Sequence, residues 1–274
     1  MVLADVLPYL ACPHCSSGLD LDGGSVRCAS GHVFDVARQG YVTLLPGKVS
    51  VTGDSAEMVA ARHEFLSAGH YAPITDAVVA ACAGAGCVLD LGAGTGHYLA
   101  AVLDAAPDRA GIALEIAKPA LRRAARAHAR IGAVGADTWG RLPVRDGVVP
   151  VALNVFAPRN AAEIARVLTP DGRLVVVAPA AAHLGELVSA LDLLTVARDK
   201  ASRVTASLPG FVVSEQDSRE FAMTLGHDEV LALAGMGPSA WHVDGTALRA
   251  KVAALPSPVR VTASVTVTTY VKGE

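Results

Sequence analysis

The chain has 274 residues, 52% of them hydrophobic, and a formal net charge of −3. Such apolar content supports a core that needs no disulfide framework. The mild negative charge excludes a chain that holds nucleic acid by overall basicity, so any such grip must be local.

Five cysteines, an odd number, point to reduced thiols and a cytoplasmic setting. The positive mean hydropathy does not mark a membrane protein. The long apolar run from Ala77 to Leu89, between Asp76 and Asp90, falls short of the ~20 residues that span a bilayer. The opening MVLADVLPYL lacks a basic segment and is interrupted by Asp5 and Pro8, so it is not expected to act as a signal peptide.

Residues 1–47 read as short strands and turns ending at Pro46-Gly47. Within them Cys12, Cys15, Cys28 and His32 follow the pattern C-x2-C-x12-C-x3-H. Three thiolates and one imidazole close a tetrahedral zinc shell with no open position for a reacting water, so the metal is expected to be structural. A C-x-x-C redox pair is the alternative, and the later Cys and His weigh against it.

Residues 48–73 are expected to form a connecting helix, with Met58, Ala61, Phe65 and Leu66 at helical spacing and Gly69 as its C-cap. From residue 74 onward helices alternate with apolar strand runs. A helix over Thr75–Ala83 precedes the strand CVLDLG, and a helix over 97–105 leads to GIALEI. The helical AKPALRRAARAHAR, the strands GAVGAD and VVPVALNVFAP, the helix NAAEIARVL, the turn TPDG and the strand RLVVVAP follow. This alternation predicts an α/β fold with a parallel sheet covered on both faces. The tail, with FVVSEQDSREFAMTL and the alternating VRVTASVTVTTYV, is expected to complete one sheet edge with antiparallel strands. Cys82 and Cys87 read as core thiols.

The central signal is VLDLGAGTGHYL. A strand ends at Asp90, glycines occupy 92, 94 and 96, and a helix begins near His97. Glycines there permit a tight turn and close approach of backbone amides to a ligand. The spacing departs from the dinucleotide pattern G-x-G-x-x-G, because position 97 is His. The run Asp90, Gly92, Gly94, Gly96 resembles motif I of the class I S-adenosylmethionine-dependent methyltransferases, whose sheet is Rossmann-like. That resemblance places Glu115, at the end of the second strand, on the cofactor's ribose hydroxyls, and Asp137, after the third, beside its adenine. A glycine turn that binds NAD or nothing is the alternative.

The zinc pattern, FDVARQGYVTLLPG, GDSAEMVAARHEFLSAGHYAPI, the glycine loop, RLPV, FAPRNAAEIARVLTPDGRLVVVAP, HLGEL and GMGPSAWH together resemble the 23S rRNA (guanine-N1)-methyltransferases of the RlmA type, including their macrolide-resistance branch. The resemblance runs over most of the chain. It implies methyl transfer from S-adenosylmethionine to N1 of a guanine, G748 in Gram-positive members, in a hairpin loop of 23S rRNA domain II. It implies a zinc-binding RNA-recognition domain over 1–47, a connecting segment over 48–73 and a methyltransferase domain over 74–274. It also implies a homodimer with no membrane partner. Tyr71, Tyr98, Leu99 and His183 match positions that line the family's cofactor site. Asn154 is counted with these cofactor-site residues, although members can carry arginine at that position, and the aspartate usual at the fourth strand is missing, which bears on the contacts there.

Guanine N1 carries a proton that must leave before it attacks, so a base is expected within reach. Asn154 (orienting rather than basic), His183 and Glu186 are candidates, and no catalytic residue is assigned. Phe34, Tyr41 and Trp241 are aromatics available for stacking on RNA. Arg27, Arg38 and Lys48 are candidate phosphate contacts, whereas Arg122, Arg123, Arg126 and Arg130 read as a solvated helix face. Two other readings stay open: a small-molecule methyltransferase with a zinc appendage, and an RNA-binding zinc protein without catalysis.

Overall fold

A computed structural model describes residues 2–47, 53–84, 86–192, 200–237 and 245–273. Lys48 and Trp241 lie outside these residues, as does part of the GMGPSAWH stretch.

The chain begins with α1 (Val2–Val6), a 3-10 turn over Leu7–Tyr9, and a small antiparallel sheet of β1 (Leu19–Asp22), β2 (Ser25–Cys28) and β3 (Val33–Asp35). The short strand β4 (Val42–Thr43) follows, then α2 (Ala56–Ser67) and α3 (Ala72–Ala81). An alternating series comes next: β5 (Val88–Leu91), α4 (His97–Asp104), β6 (Gly111–Glu115), α5 (Lys118–Ala127), β7 (Ile131–Gly135), β8 (Val149–Val155), α6 (Ala161–Val167) and β9 (Leu168–Pro179). The chain finishes with α7 (Gly185–Leu191), α8 (Lys200–Ala206), β10 (Phe211–Leu225), α9 (His227–Gly235), α10 (Gly245–Ala253) and β11 (Val259–Lys272).

Among the described residues the large sheet has the order β10-β11-β9-β8-β5-β6-β7-β4. Strands β4 to β9 are parallel, and β11 runs antiparallel to both of its neighbours, as expected for the tail. Side chains alternate between two core layers. Val175 and Val177 join Phe65, Ile74, Leu99 and Leu153 on one face, while Leu174 and Val176 join Leu89, Leu91, Ile112 and Leu114 on the other. Period-two alternation with both faces buried is why these strands read as continuous apolar runs. Cys82 and Cys87 are buried in opposite layers, and burial pushes each thiol up to about 12, so both are inert core residues.

Several boundaries differ from the sequence expectation. Helix α3 starts at Ala72 because Pro73, with its φ pre-set and no amide to satisfy, suits a first helical turn. The TPDG turn is absorbed into β9, whose register against β8 jumps from Val149↔Leu168 to Val151↔Arg173, so the turn bulges out of a continuing strand. Arg130 is not on the helix face. It lies beyond α5, and its guanidinium donates to the carbonyls of Leu103, Ala106 and Arg109, closing the C-terminal end of α4. Arg122 and Arg126 are exposed on α5, and Arg123 is half-buried.

The N-terminal segment is built into the large sheet. Strand β4 pairs with Val134–Gly135 at its edge, Leu10 bridges Val144, and α1 packs on β7, where Gly132 leaves room for Val6. Leu3, Val6, Leu10, Cys12, Val26 and Cys28 share one core layer with the sheet. Among the described residues, no helix is long and apolar enough to cross a membrane.

Candidate functional site

The four predicted metal ligands converge. Two tight turns carry them. In the first, Ser16 N–H donates to Cys12 O (2.8 Å) with Ser16 at φ 60°. In the second, Gly31 N–H donates to Cys28 O (3.0 Å) with Gly31 at φ 85°. Cys28 Sγ lies 3.3 Å and Cys12 Sγ 3.6 Å from His32 Nδ1, and Cys15 Sγ lies 3.6 Å from Cys28 Sγ. All four ligand atoms fall within 4.8 Å of one another. Zinc–sulfur bonds of about 2.3 Å and zinc–nitrogen bonds of about 2.0 Å in a tetrahedron give edges of roughly 3.5–3.8 Å, so the donor set fits a closed zinc shell. Among the described residues no other group of His, Cys, Asp or Glu gathers in this way. His14 stacks on Phe34 beside the cluster, with ring centroids 5.9 Å apart and planes 8° apart. Tyr41, by contrast, is buried in the core of the large sheet and presents no ring to a partner.

The second site is a cavity of about 370 Å³ at the carboxyl ends of β5, β6, β7 and β8. The sheet order reverses between β5 and β8, and open α/β sheets bind ligands at such a point. The glycine loop makes its floor. Gly92, Gly94 and Gly96 have φ of 73°, 55° and 77°, a region that side-chain-bearing residues avoid. Two of them also sit where a Cβ has no space: at Gly92 it would lie 2.8 Å from Ala157 Cβ, and at Gly96 3.1 Å from the Ala124 backbone of α5. The D-x-G-x-G-x-G spacing is therefore a backbone requirement as well as a packing one.

Of the residues singled out by sequence, Tyr71, Asp90, Gly92, Gly94, Tyr98, Glu115 and Asp137 line this cavity. Glu115 accepts from Gly94 N–H (2.9 Å), Ile116 N–H (2.7 Å) and Ala117 N–H (2.8 Å), which ties the second strand end to the glycine loop. Asp90 is buried, and desolvation together with the nearby Glu115 pushes its carboxyl up to about 8. The Tyr98 hydroxyl is buried and has no hydrogen-bond partner among the described residues.

Gly96, Leu99, Asn154 and His183 are not on the cavity wall. Gly96 caps α4 against α5, and Leu99 is a core residue packed over Gly111. Asn154 is fully buried; its Nδ2 donates to Pro158 O (2.9 Å), and its Oδ1 accepts from Arg159 Nε (3.2 Å). His183 lies behind the wall, where its Nδ1 accepts from Ser264 N–H (3.2 Å). Glu186 is turned to β11, accepting from Thr262 N–H (3.0 Å) and Thr262 Oγ1 (2.6 Å).

Other lining residues were not singled out by sequence, Arg62, Met236, Trp139 and Phe156 among them. Arg62 of α2 pairs with Asp54 and donates to Met236 O (2.7 Å), so the connecting helix supplies part of the wall. Met236 follows α9. Trp139 is 59% exposed, and Phe156 is 42% exposed with φ 52°. An arginine inside a weakly amphipathic helix, or an aromatic after a strand, carries no local signal of a cavity. Only the FAP stretch, already prominent in the sequence, hinted at the last.

S-adenosylmethionine carries a sulfonium and an ammonium against one carboxylate. Among the described residues the wall offers four carboxylates, on Asp54, Asp90, Glu115 and Asp137, against the single guanidinium of Arg62. A net-positive ligand would relieve the buried Asp90, and the unpartnered Tyr98 hydroxyl has an unused donor and acceptor. The residues fit the cofactor.

A zinc-ribbon family described as "RlmA, N-terminal" matches residues 10–49. The chain is similar to the 23S rRNA (guanine(748)-N(1))-methyltransferase of Streptomyces fradiae, 48% identical over 96% of this chain and 97% of that one. It is also similar to a protein of Micromonospora griseorubida named as a 23S rRNA (guanine-N1)-methyltransferase, 51% identical over 97% and 98%. Among solved structures, a chain of the complex between the Haloferax volcanii Trm112 methyltransferase activator and a methyltransferase aligns with TM-score 0.55 at 19% identity, covering 82% of this chain and 100% of that one. Escherichia coli YjhP aligns with TM-score 0.52 at 16% identity, covering 80% and 99%. At such identities these structures speak for the fold alone. Identity near one half along nearly the whole length, zinc ribbon included, makes the chain a member of the 23S rRNA (guanine-N1)-methyltransferase family.

Proposed function

We propose that this protein transfers a methyl group from S-adenosylmethionine to N1 of guanine 748 in a hairpin loop of 23S rRNA domain II. The observation that carries the reading is the 48% identity, across 96% of the chain, to a relative whose name specifies that guanine. The acid-lined cavity over the glycine loop supports it from the side of the cofactor.

The cofactor, when bound, supplies an electrophilic methyl on sulfur. The protein's part is to align the nucleophile with it. Asp90 and Glu115 would hold the cofactor over the tight turn of Gly92 and Gly94, whose own amides are engaged by Leu114 O and the Glu115 carboxylate, and Tyr98 would offer its hydroxyl. His183 does not take the N1 proton. Its Nδ1 lone pair is engaged by Ser264 N–H, burial holds its pKa down at about 4, and its Nε2 faces the Tyr71 hydroxyl. Asn154 and Glu186 are committed to the hydrogen bonds described above.

Residues 1–47 act in this reading as the RNA-recognition unit, 48–73 as the connecting segment and 74–274 as the methyltransferase. Arg27, Arg38 and His14, all exposed in the N-terminal segment, supply phosphate and base contacts. The protein works as a homodimer in the cytoplasm, where its ribosomal substrate resides. The test is incubation with labelled S-adenosylmethionine and domain II transcripts, followed by primer extension. A stop at guanine 748 is expected, because N1 methylation blocks pairing; label at another base or on none overturns the reading. Sedimentation of the purified protein at monomer mass would overturn the dimer.

A further inference from the structure

Phe156 breaks two rules at once. It is a large apolar side chain left 42% exposed, and its φ of 52° places it in the left-handed region, which costs a residue with a Cβ. Strain of this kind persists only where the surroundings enforce it.

Here they do. Phe156 N–H donates to Val177 O (3.1 Å). Asn154 spans the turn to Pro158 O, and Arg159 ties down both Asn154 Oδ1 and Ala157 O (3.2 Å). Ala157 is pressed against Gly92, where a Cβ would stand 2.8 Å away. The turn carrying Phe156 is thus clamped onto the loop that floors the cofactor cavity, and Phe156 itself lines that cavity. Its ring lies 6.5 Å from Tyr71 and 5.9 Å from His183, with no carboxylate among these neighbours. The wall carboxylates lie elsewhere, Glu115 and Asp137 at the ends of β6 and β7, Asp90 on β5 and Asp54 before α2, and none is among the rings beside Phe156. Phe156 therefore faces an apolar, planar guest that is not the cofactor's sugar.

We propose that Phe156 is the platform on which the target guanine stacks when it leaves the RNA loop. The assignment rests on the methyltransferase reading above. A base splayed from a hairpin loop loses its stacking partners, and an aromatic ring restores them without reading hydrogen bonds. The strained turn aims that ring at the cavity mouth before RNA arrives, so no rearrangement is needed on binding.

The experiment compares wild type with Phe156→Ala, Phe156→Gly and Phe156→Tyr on a domain II hairpin transcript. The Ala and Gly variants are expected to lose roughly 10- to 100-fold in kcat/KM for RNA, the effect of removing one base–aromatic stack. Their S-adenosylhomocysteine dissociation constant is expected to rise no more than a few-fold, because the polar wall, Glu115 and Asp137 included, is left in place. Phe156→Tyr keeps most of the rate. Phe156→Gly melts no lower than wild type, because glycine accepts the left-handed turn freely. With 2-aminopurine at the target position, emission is quenched in the wild-type complex and bright in the Phe156→Ala complex. An Ala variant with wild-type kcat/KM, or one whose cofactor affinity falls in step with its rate, overturns the assignment. A wild type that leaves the transcript unlabelled overturns the methyltransferase reading and the assignment with it.

Discussion

His183 Nε2 lies 3.4 Å from the Tyr71 hydroxyl, joining residues 112 positions apart across the back wall of the cavity. Because Nδ1 accepts from Ser264 N–H, the neutral ring carries its proton on Nε2 and donates it to the phenol oxygen. The Tyr71 proton is left free to donate elsewhere. Histidine here orients a tyrosine; it does not move a proton.

This relationship has a signature in acid. Burial lowers the His183 pKa to about 4, below its ordinary 6.5, so the unfolded chain takes up a proton that the folded one refuses. Stability is therefore retained above pH 6.5 and lost as pH falls from there towards 4, by about 3 kcal/mol at most. Urea unfolding of wild type and His183→Ala at pH 7, 5.5 and 4.5 should give curves that converge towards acid. A constant difference between them would show that His183 is not held neutral.

Asp90 gives the opposite sign. Its folded pKa, raised to about 8, means that ionisation is unfavourable in the ligand-free protein and that stability falls as pH rises towards 8. A cationic ligand favours the ionised form, so affinity for S-adenosylmethionine should climb between pH 6.5 and 8.5. Asp90→Asn should weaken binding roughly tenfold or more and flatten that climb, consistent with loss of a charge-assisted contact. Titration calorimetry at three pH values reads both effects.

Docking of α1 on β7 depends on the absence of one methyl. A Cβ at Gly132 would stand 2.3 Å from Val6 Cγ2. Gly132→Ala is expected to cost about 1–3 kcal/mol through overpacking, with most of it recovered in the Val6→Ala double variant. Thermal denaturation of the two single variants and the double variant checks this, and a double variant no better than Gly132→Ala would deny the contact.

Zinc should support the ribbon and leave cofactor binding alone. Cys28→Ser removes a buried ligand from a segment whose own core is small, so stoichiometric zinc is lost and β1–β3 unfold. Because Cys12, Val26 and Cys28 share a core layer with β7 and Val144, the midpoint of global unfolding falls as well. Cofactor affinity is expected to stay within a few-fold while KM for RNA rises. Metal analysis, limited proteolysis and calorimetry on one sample separate these outcomes.

Local rules made much of this protein legible from its residues. Chelation geometry restricts a C-x2-C-x12-C-x3-H run to one closed shell, left-handed turns restrict 92, 94 and 96 to glycine, and apolar runs between helices mean a parallel sheet. What escaped sequence reading depends on chain segments far apart in order. Arg62, Trp139, Phe156 and Met236 meet only because the strand order reverses between the parallel neighbours β5 and β8 and α2 supplies part of the wall. His183 and Glu186 read as candidate bases by type, and only their packing against Ser264 and Thr262 shows their lone pairs already engaged. A residue's chemistry is written in its side chain, but whether that chemistry is free to act is set by which distant backbone groups reach it first.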